Sequence, residues 1–187
     1  YLGNLEPRLG GAIMPINNFI LATESLGEER ARNLIRNDVA VSDTKFVVDY
    51  FRMSPDHRLL FGGGENYTRR FPTDIKSFVR RYMLRVFPQL SKVCVDYAWG
   101  GTLAITRSRL PLFGRFDGDT YYALGYSGQG VALATLAGQV LSDAIAGTVE
   151  DFDVFARLPR RQFPGGSLLR WPSLAFGMMY YALRDQL

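Results

Sequence analysis

The stretch Thr120-Tyr-Tyr-Ala-Leu-Gly-Tyr-Ser-Gly-Gln-Gly130 constrains the fold of this chain more than any other. It begins with the aromatic and apolar residues of a strand and then places Gly125, Gly128 and Gly130 close together. From about Val131 to Ala146 small and apolar residues follow at helical spacing, among them Ala134, Ala137, Gly138, Leu141 and Ile145. The succession reads as strand, glycine-rich turn, helix. Glycines admit dihedrals and close approach that a Cβ forbids, and the first turn of a helix offers unpaired N–H groups to an anionic or electron-rich ligand. A cofactor contact by Gly125 to Gly130 is one reading. The order is not G-x-G-x-x-G, so no dinucleotide fingerprint is present there, and a plain structural turn explains the residues equally well.

The rest of the composition narrows the alternatives. With 187 residues, 47% of them hydrophobic, the chain can bury one sizeable core and a small satellite, which excludes a disordered tail or a disulfide miniprotein. Cys94 is the one cysteine and His57 the one histidine, so neither an internal disulfide nor a Cys/His zinc set can form. The 22 Lys and Arg against 18 Asp and Glu are spread along the chain, which gives nucleic-acid binding little support. The apolar run Leu174 to Leu183 is half the roughly 20 residues needed to span a bilayer, and membrane contact is not expected. A cytoplasmic protein fits these features. The opening Tyr-Leu-Gly-Asn-Leu-Glu shows no initiator Met, and a fragment is expected.

Upstream of the turn the pattern is mostly strand. Asn18 to Thr23 reads as a strand, and Ser25 and Glu28 have capping-box spacing before a helix over 29–37. Lys45 to Phe51 and Arg58 to Phe61 flank Ser54-Pro55-Asp56 as an antiparallel hairpin, with Gly62-Gly63-Gly64 ending its second strand. From Thr73, residues Ile75, Phe78, Val79, Tyr82, Met83, Val86 and Phe87 form the apolar stripe of a helix stopped by Pro88, with Arg80, Arg81 and Arg85 on a solvated surface. Lys92 to Trp99 alternates so that Val93, Val95, Tyr97 and Trp99 share one packed face. The fold class is α/β: an α+β portion with a mostly antiparallel sheet over 1–110, a change of character near Pro111, and an extended or helical tail over 150–187.

Several landmarks carry a resemblance. Phe61-Gly-Gly63, Trp99-Gly-Gly101, Leu110-Pro-Leu-Phe-Gly-Arg115 and Tyr122 to Gly138 follow one another as in the C-terminal half of the D-amino-acid-oxidase-like FAD-dependent oxidoreductases. Ile13-Met-Pro15 with Ile20-Leu-Ala-Thr-Glu24 resembles that family's passage from FAD domain to substrate domain. The likeness is strongest to the bacterial gamma-glutamylputrescine oxidoreductases and related amine oxidases. It implies that residues 1–110 are part of a substrate-binding domain and that 111–149 complete a Rossmann-like FAD-binding domain whose diphosphate fingerprint lies in an N-terminal half outside this chain.

The resemblance further implies oxidation of an amine C–N bond with FAD as acceptor, in polyamine catabolism or on a related amine or amino acid. Gly125, Tyr126, Ser127, Gly128, Gln129, Gly130 and Val131 would approach the flavin ring, with Arg115 supporting them or serving as an ordinary surface pairing. Tyr50, Arg52 and Trp99 are the substrate-pocket candidates. Sheet packing is an equal account of Tyr50 and Trp99, and pairing with Asp49 or Asp56 of Arg52. Ala132 stands where sarcosine oxidases carry a carboxylate-binding lysine, and Cys94 falls too early for their covalent flavin link, so non-covalent FAD is expected. A non-catalytic binding or assembly module in the same shell is the competing function. No metal site is expected.

Overall fold

The computed structural model describes residues 2–3, 5–45, 47–66 and 70–184. The elements are α1 (Pro7–Gly10), β1 (Ile13–Thr23), α2 (Glu28–Leu34), β2 (Val41–Ser42), β3 (Tyr50–Met53), β4 (Leu59–Asn66), α3 (Ile75–Val86), a 3-10 turn (Pro88–Leu90), β5 (Val95–Thr106), β6 (Leu112–Phe116), β7 (Thr120–Leu124), α4 (Gly130–Ile145), α5 (Glu150–Ala156) and α6 (Gly166–Arg184). They divide into two units. One comprises Asn17–Gly101 with Ala175–Leu187, the other Tyr1–Ile16 with Thr102–Leu174, and β1 and β5 each run from one into the other. The chain therefore changes unit within β5, whereas the change of character was expected near Pro111.

In the first unit the sheet order is β2-β3-β4-β1-β5, with the β1–β4, β2–β3 and β3–β4 pairs antiparallel. Strand alternation sends Phe19 and Leu21 of β1, Phe51 and Met53 of β3, and Leu59 and Phe61 of β4 to one face, where they meet Val79 and Met83 of α3. The rings interlock: Phe51 stacks on Phe61 with centroids 5.8 Å apart and takes the edge of Phe87 at 4.9 Å. Asp74 caps α3 by accepting from Ser77 N at 3.0 Å, and the Ser77 side chain together with this backbone bond holds its carboxyl below the ordinary aspartate range.

Several expectations change here. The capping box before α2 does not form: Gly27, at φ +75°, is the N-cap, and Ser25 Oγ donates to Asp56 O instead. Of the strand expected over 45–51, Tyr50 and Phe51 lie in β3, Phe46 lies outside the described residues, and Asp43 Oδ1 accepts from the N–H groups of Lys45 and Asp49, which keeps these two residues out of the ladder. The Lys45 ammonium closes the loop, 2.8 Å from Asp43 Oδ2 and 2.7 Å from Asp49 Oδ2. The glycine triplet does not end β4 but lies inside it, where the register with β1 shifts between Asn18 and Ile20 and Gly64 takes φ +72°. Arg80 is no solvated cation, since it donates to the carbonyls of Ser91 and Val93, and Val86 of the expected stripe is exposed.

Of the face expected to pack, Val93 and Val95 do meet the core, and Tyr97 and Trp99 do not. Ala98 packs against the core, so Tyr97 and Trp99, its neighbours on either side, point away and are 59% and 47% exposed. Lys76 of α3 donates to the carbonyls of Val95 and Asp96, and Arg58 pairs with Asp96 and lies over the Tyr97 ring. These contacts fix the start of the strand with its aromatic residues outward.

In the second unit β6 and β7 form a hairpin from Leu112↔Leu124 to Phe116↔Thr120, turned by Asp117 and Gly118 at positive φ. Ala12, Ile13 and Leu112 make one small core with Ala104, Tyr122 and Leu124. Phe113 makes another with Ala137, Val140 and Ala144 of α4 and Phe152 of α5. Among the described residues after Gly147, α5 and α6 account for most of the chain, and Glu150, Asp151 and Asp153 suit the positive end of α5. Among the described residues no single helix is long and apolar enough to cross a membrane.

Candidate functional site

The glycine-rich turn has two flanks with different tasks. On the inner flank Gly125 is buried at φ +77°, and a Cβ there would lie 3.1 Å from Ile13 Cδ1 and close against Thr106. Ser127, itself at φ +53°, is tied to β5: its N–H donates to Ala104 O at 3.1 Å, and its Oγ accepts from Thr106 N at 3.2 Å. Tyr126 packs against the α4 core and donates its hydroxyl to Ala123 O at 3.2 Å, and burial raises its pKa. These residues secure the turn to the sheet.

The outer flank is open. Gly128 takes φ +94° with nothing within contact distance of a Cβ, Gln129 is exposed, and Val131 is 97% exposed. Gln129 is the N-cap of α4 but supplies no side-chain cap to the first N–H groups of this 16-residue helix. Their aligned dipoles make this a weakly positive surface that an anionic or electron-rich ring edge would complement. Arg115 is exposed on β6 and donates to Tyr121 Oη at 3.1 Å across the hairpin, as the register pairs them.

The three pocket candidates lie in the other unit and share one face of its sheet. Tyr50 and Arg52 flank the core residue Phe51, and Trp99 follows the core-facing Ala98, so all three point away from α3. Tyr50 reaches across β4, where Gly62 leaves room for its ring, and donates to Asn18 Oδ1 on β1 at 2.6 Å. Arg52 is exposed and donates to Met53 O at 3.2 Å. The carboxylates expected as its alternative partners are engaged elsewhere, Asp49 with Lys45 and Asp56 with Arg58. His57 sits in the β3–β4 turn at φ +63°, and Cys94 is exposed just before β5. Among the described residues no group of His, Cys, Asp and Glu is arranged to hold a metal ion.

Asn18, Thr106 and Tyr97 are site-facing or site-supporting residues that sequence reasoning missed. Asn18 lies 32 positions from Tyr50, and Thr106 lies 21 from Ser127, so no local pattern links them. Tyr97 was visible as part of an alternating run whose Val93 and Val95 do pack, but the run slips by one residue before Ala98 and leaves Tyr97 outside.

A mixed α/β chain with antiparallel sheets, a glycine-rich turn and an uncapped helix start defines a class, and comparison with known proteins identifies it. The family model described as FAD dependent oxidoreductase matches residues 1–144, and the chain belongs to that family. The gamma-glutamylputrescine oxidoreductase of Escherichia coli (strain K12) is 45% identical over 188 aligned positions, covering 100% of this chain and 44% of that protein. A probable oxidoreductase OrdL of Rhizobium meliloti (strain 1021) is 39% identical, covering 100% of this chain and 43% of that one. The chain thus spans less than half the length of these relatives. Among solved structures, L-proline dehydrogenase from P. horikoshii matches at a TM-score of 0.60 and 22% identity, covering 84% of this chain and 42% of that one. Glycine oxidase from Geobacillus kaustophilus matches at 0.61 and 16% identity, covering 81% and 40%. These structural matches show a shared fold.

The open flank of the turn suits the flavin that the family name implies. Gly128 and Gly130 present no side chain that would keep a planar ring away, and the helix start offers N–H donors rather than carboxylates.

Proposed function

We propose that this chain is the C-terminal part of an FAD-dependent oxidoreductase that oxidises an amine C–N bond, with gamma-glutamylputrescine or a closely related amine as substrate. The observation that carries the reading is the outer flank of the 125–130 turn, open and followed by the uncapped start of α4, in a chain of this family. The name of the 45% identical relative supports the substrate. Gly128, Gln129, Gly130 and Val131 would hold the flavin from this side, while Gly125, Tyr126 and Ser127 fix the turn. The remainder of a Rossmann-like FAD domain, with its diphosphate site, would come from the N-terminal half of the protein.

FAD, when bound, supplies a two-electron acceptor for the hydride on the amine-bearing carbon, and the resulting imine hydrolyses to a carbonyl compound and free amine. The work of this chain is to bind and orient. Backbone N–H groups at the start of α4 would stabilise negative charge developing on the ring edge they face. Tyr50, Arg52 and Trp99 would line the substrate pocket, with the Arg52 guanidinium suited to a carboxylate and the Trp99 indole excluding water from an aliphatic amine chain. The cofactor would be non-covalent.

The test uses the intact protein. A flavin absorbance band that bleaches when gamma-glutamylputrescine is added without oxygen supports the reading, and flavin released by acid precipitation into the supernatant supports non-covalent binding. Native protein lacking flavin, or flavin untouched by amines, would contradict it.

A further inference from the structure

Tyr50 and Asn18 are joined across an intervening strand. The Tyr50 ring leaves β3, lies over Gly62 of β4, where a Cβ would collide with it, and donates its hydroxyl proton to Asn18 Oδ1 of β1 at 2.6 Å. Asn18 is half-buried and stands beside the register shift that precedes Ile20, so the irregularity in β1–β4 pairing sets where its carboxamide stands. A tyrosine hydroxyl has one proton to give and two positions at which to accept. With the proton committed to Asn18, the oxygen meets any further group as an acceptor.

We infer that Asn18 is a positioning residue that sets specificity: by taking the Tyr50 proton it makes the Tyr50 oxygen a receptor for an amine or ammonium N–H and a poor partner for a carboxylate. The inference rests on the reading above, in which Tyr50 faces the substrate pocket. Arg52, two residues along β3 on the same face, supplies the complementary preference, since a guanidinium has donors and no acceptor. Side by side, the two recognise a molecule carrying both an amine and a carboxylate, each at its own station.

The experiment compares butylamine and butyrate as competitive inhibitors of the intact, flavin-loaded protein. Asn18→Leu removes the acceptor and frees the Tyr50 proton. It is expected to weaken butylamine about tenfold relative to butyrate, the scale of one lost hydrogen bond to a charged group, and to raise KM for the amine substrate more than it lowers kcat. Asn18→Asp keeps the acceptor and is expected to retain or strengthen the preference for butylamine, so it tests the inference even if Asn18→Leu fails to fold. Tyr50→Phe is expected to reproduce the Asn18→Leu shift, with no further change in the double variant. A shift in Tyr50→Phe with none in Asn18→Leu, or a loss of amine preference in Asn18→Asp, would overturn the role of Asn18 and leave the pocket reading standing. No change in KM or inhibitor preference on Tyr50→Phe would overturn the pocket reading and this inference with it.

Discussion

Gly62 is where a single missing side chain shapes the candidate pocket. Its backbone supports the Tyr50 ring, so Gly62→Ala must push the ring from its path toward Asn18. The expected outcome is a raised KM together with a loss of about 1–3 kcal/mol of stability from overpacking, read by steady-state kinetics and urea unfolding. Gly128 makes the opposite case: no neighbour restricts a Cβ there, but its φ of +94° does. Gly128→Val is therefore expected to lower flavin retention, by both strain and obstruction of the open flank, while Gln129→Ala, which keeps the backbone of the turn, lowers it much less. Flavin per protein after gel filtration decides between them. The glycine turn was legible in the sequence because its residue types are specific to such a turn. What each residue does was not, because the tether from Ser127 to Ala104 and Thr106 depends on long-range pairing.

At the scale of elements, periodicity predicted the extents of α3 and α4 closely, but of the spacing named for α4 only Ala137 is fully buried, with Val140 and Ala144 beside it, and Ala134, Gly138 and Ile145 are exposed. Asp74 initiates α3, and Asp74→Ala is expected to lower Tm by a few degrees while Asp74→Asn nearly preserves it, because asparagine caps equally well. The depressed pKa of Asp74 adds a sign: its contribution is present above the ordinary aspartate range and is lost as pH falls through its lowered folded value. Wild type should thus lose more Tm than Asp74→Asn on acidification below about pH 4, as measured by circular dichroism at matched ionic strength. Phe152 anchors α5 against Phe113 and α4, and Phe152→Ala is expected to cost about 3–5 kcal/mol. Strands were harder to read. Val93 and Val95 pack in the core as their alternation suggested, yet Ala98 packs there too and Trp99 does not, because the alternation slips by one residue between Val95 and Ala98 and a period of two carries no sign of such a slip. The helices after Gly147 were missed as firm elements because Pro159, Pro164, Pro172 and several glycines mask their apolar spacing.

At the scale of the whole molecule, family membership and fold were carried by the order of glycine and aromatic landmarks more than by composition. The crossings between the two units leave no mark in composition, because β1 and β5 run from one into the other without a linker. The most direct measurement of the central claim is an anaerobic titration of the intact protein with gamma-glutamylputrescine, followed by visible absorbance. The account predicts a flavin band that bleaches with one substrate per flavin. A native protein without that band, or a band indifferent to the amine, would contradict it.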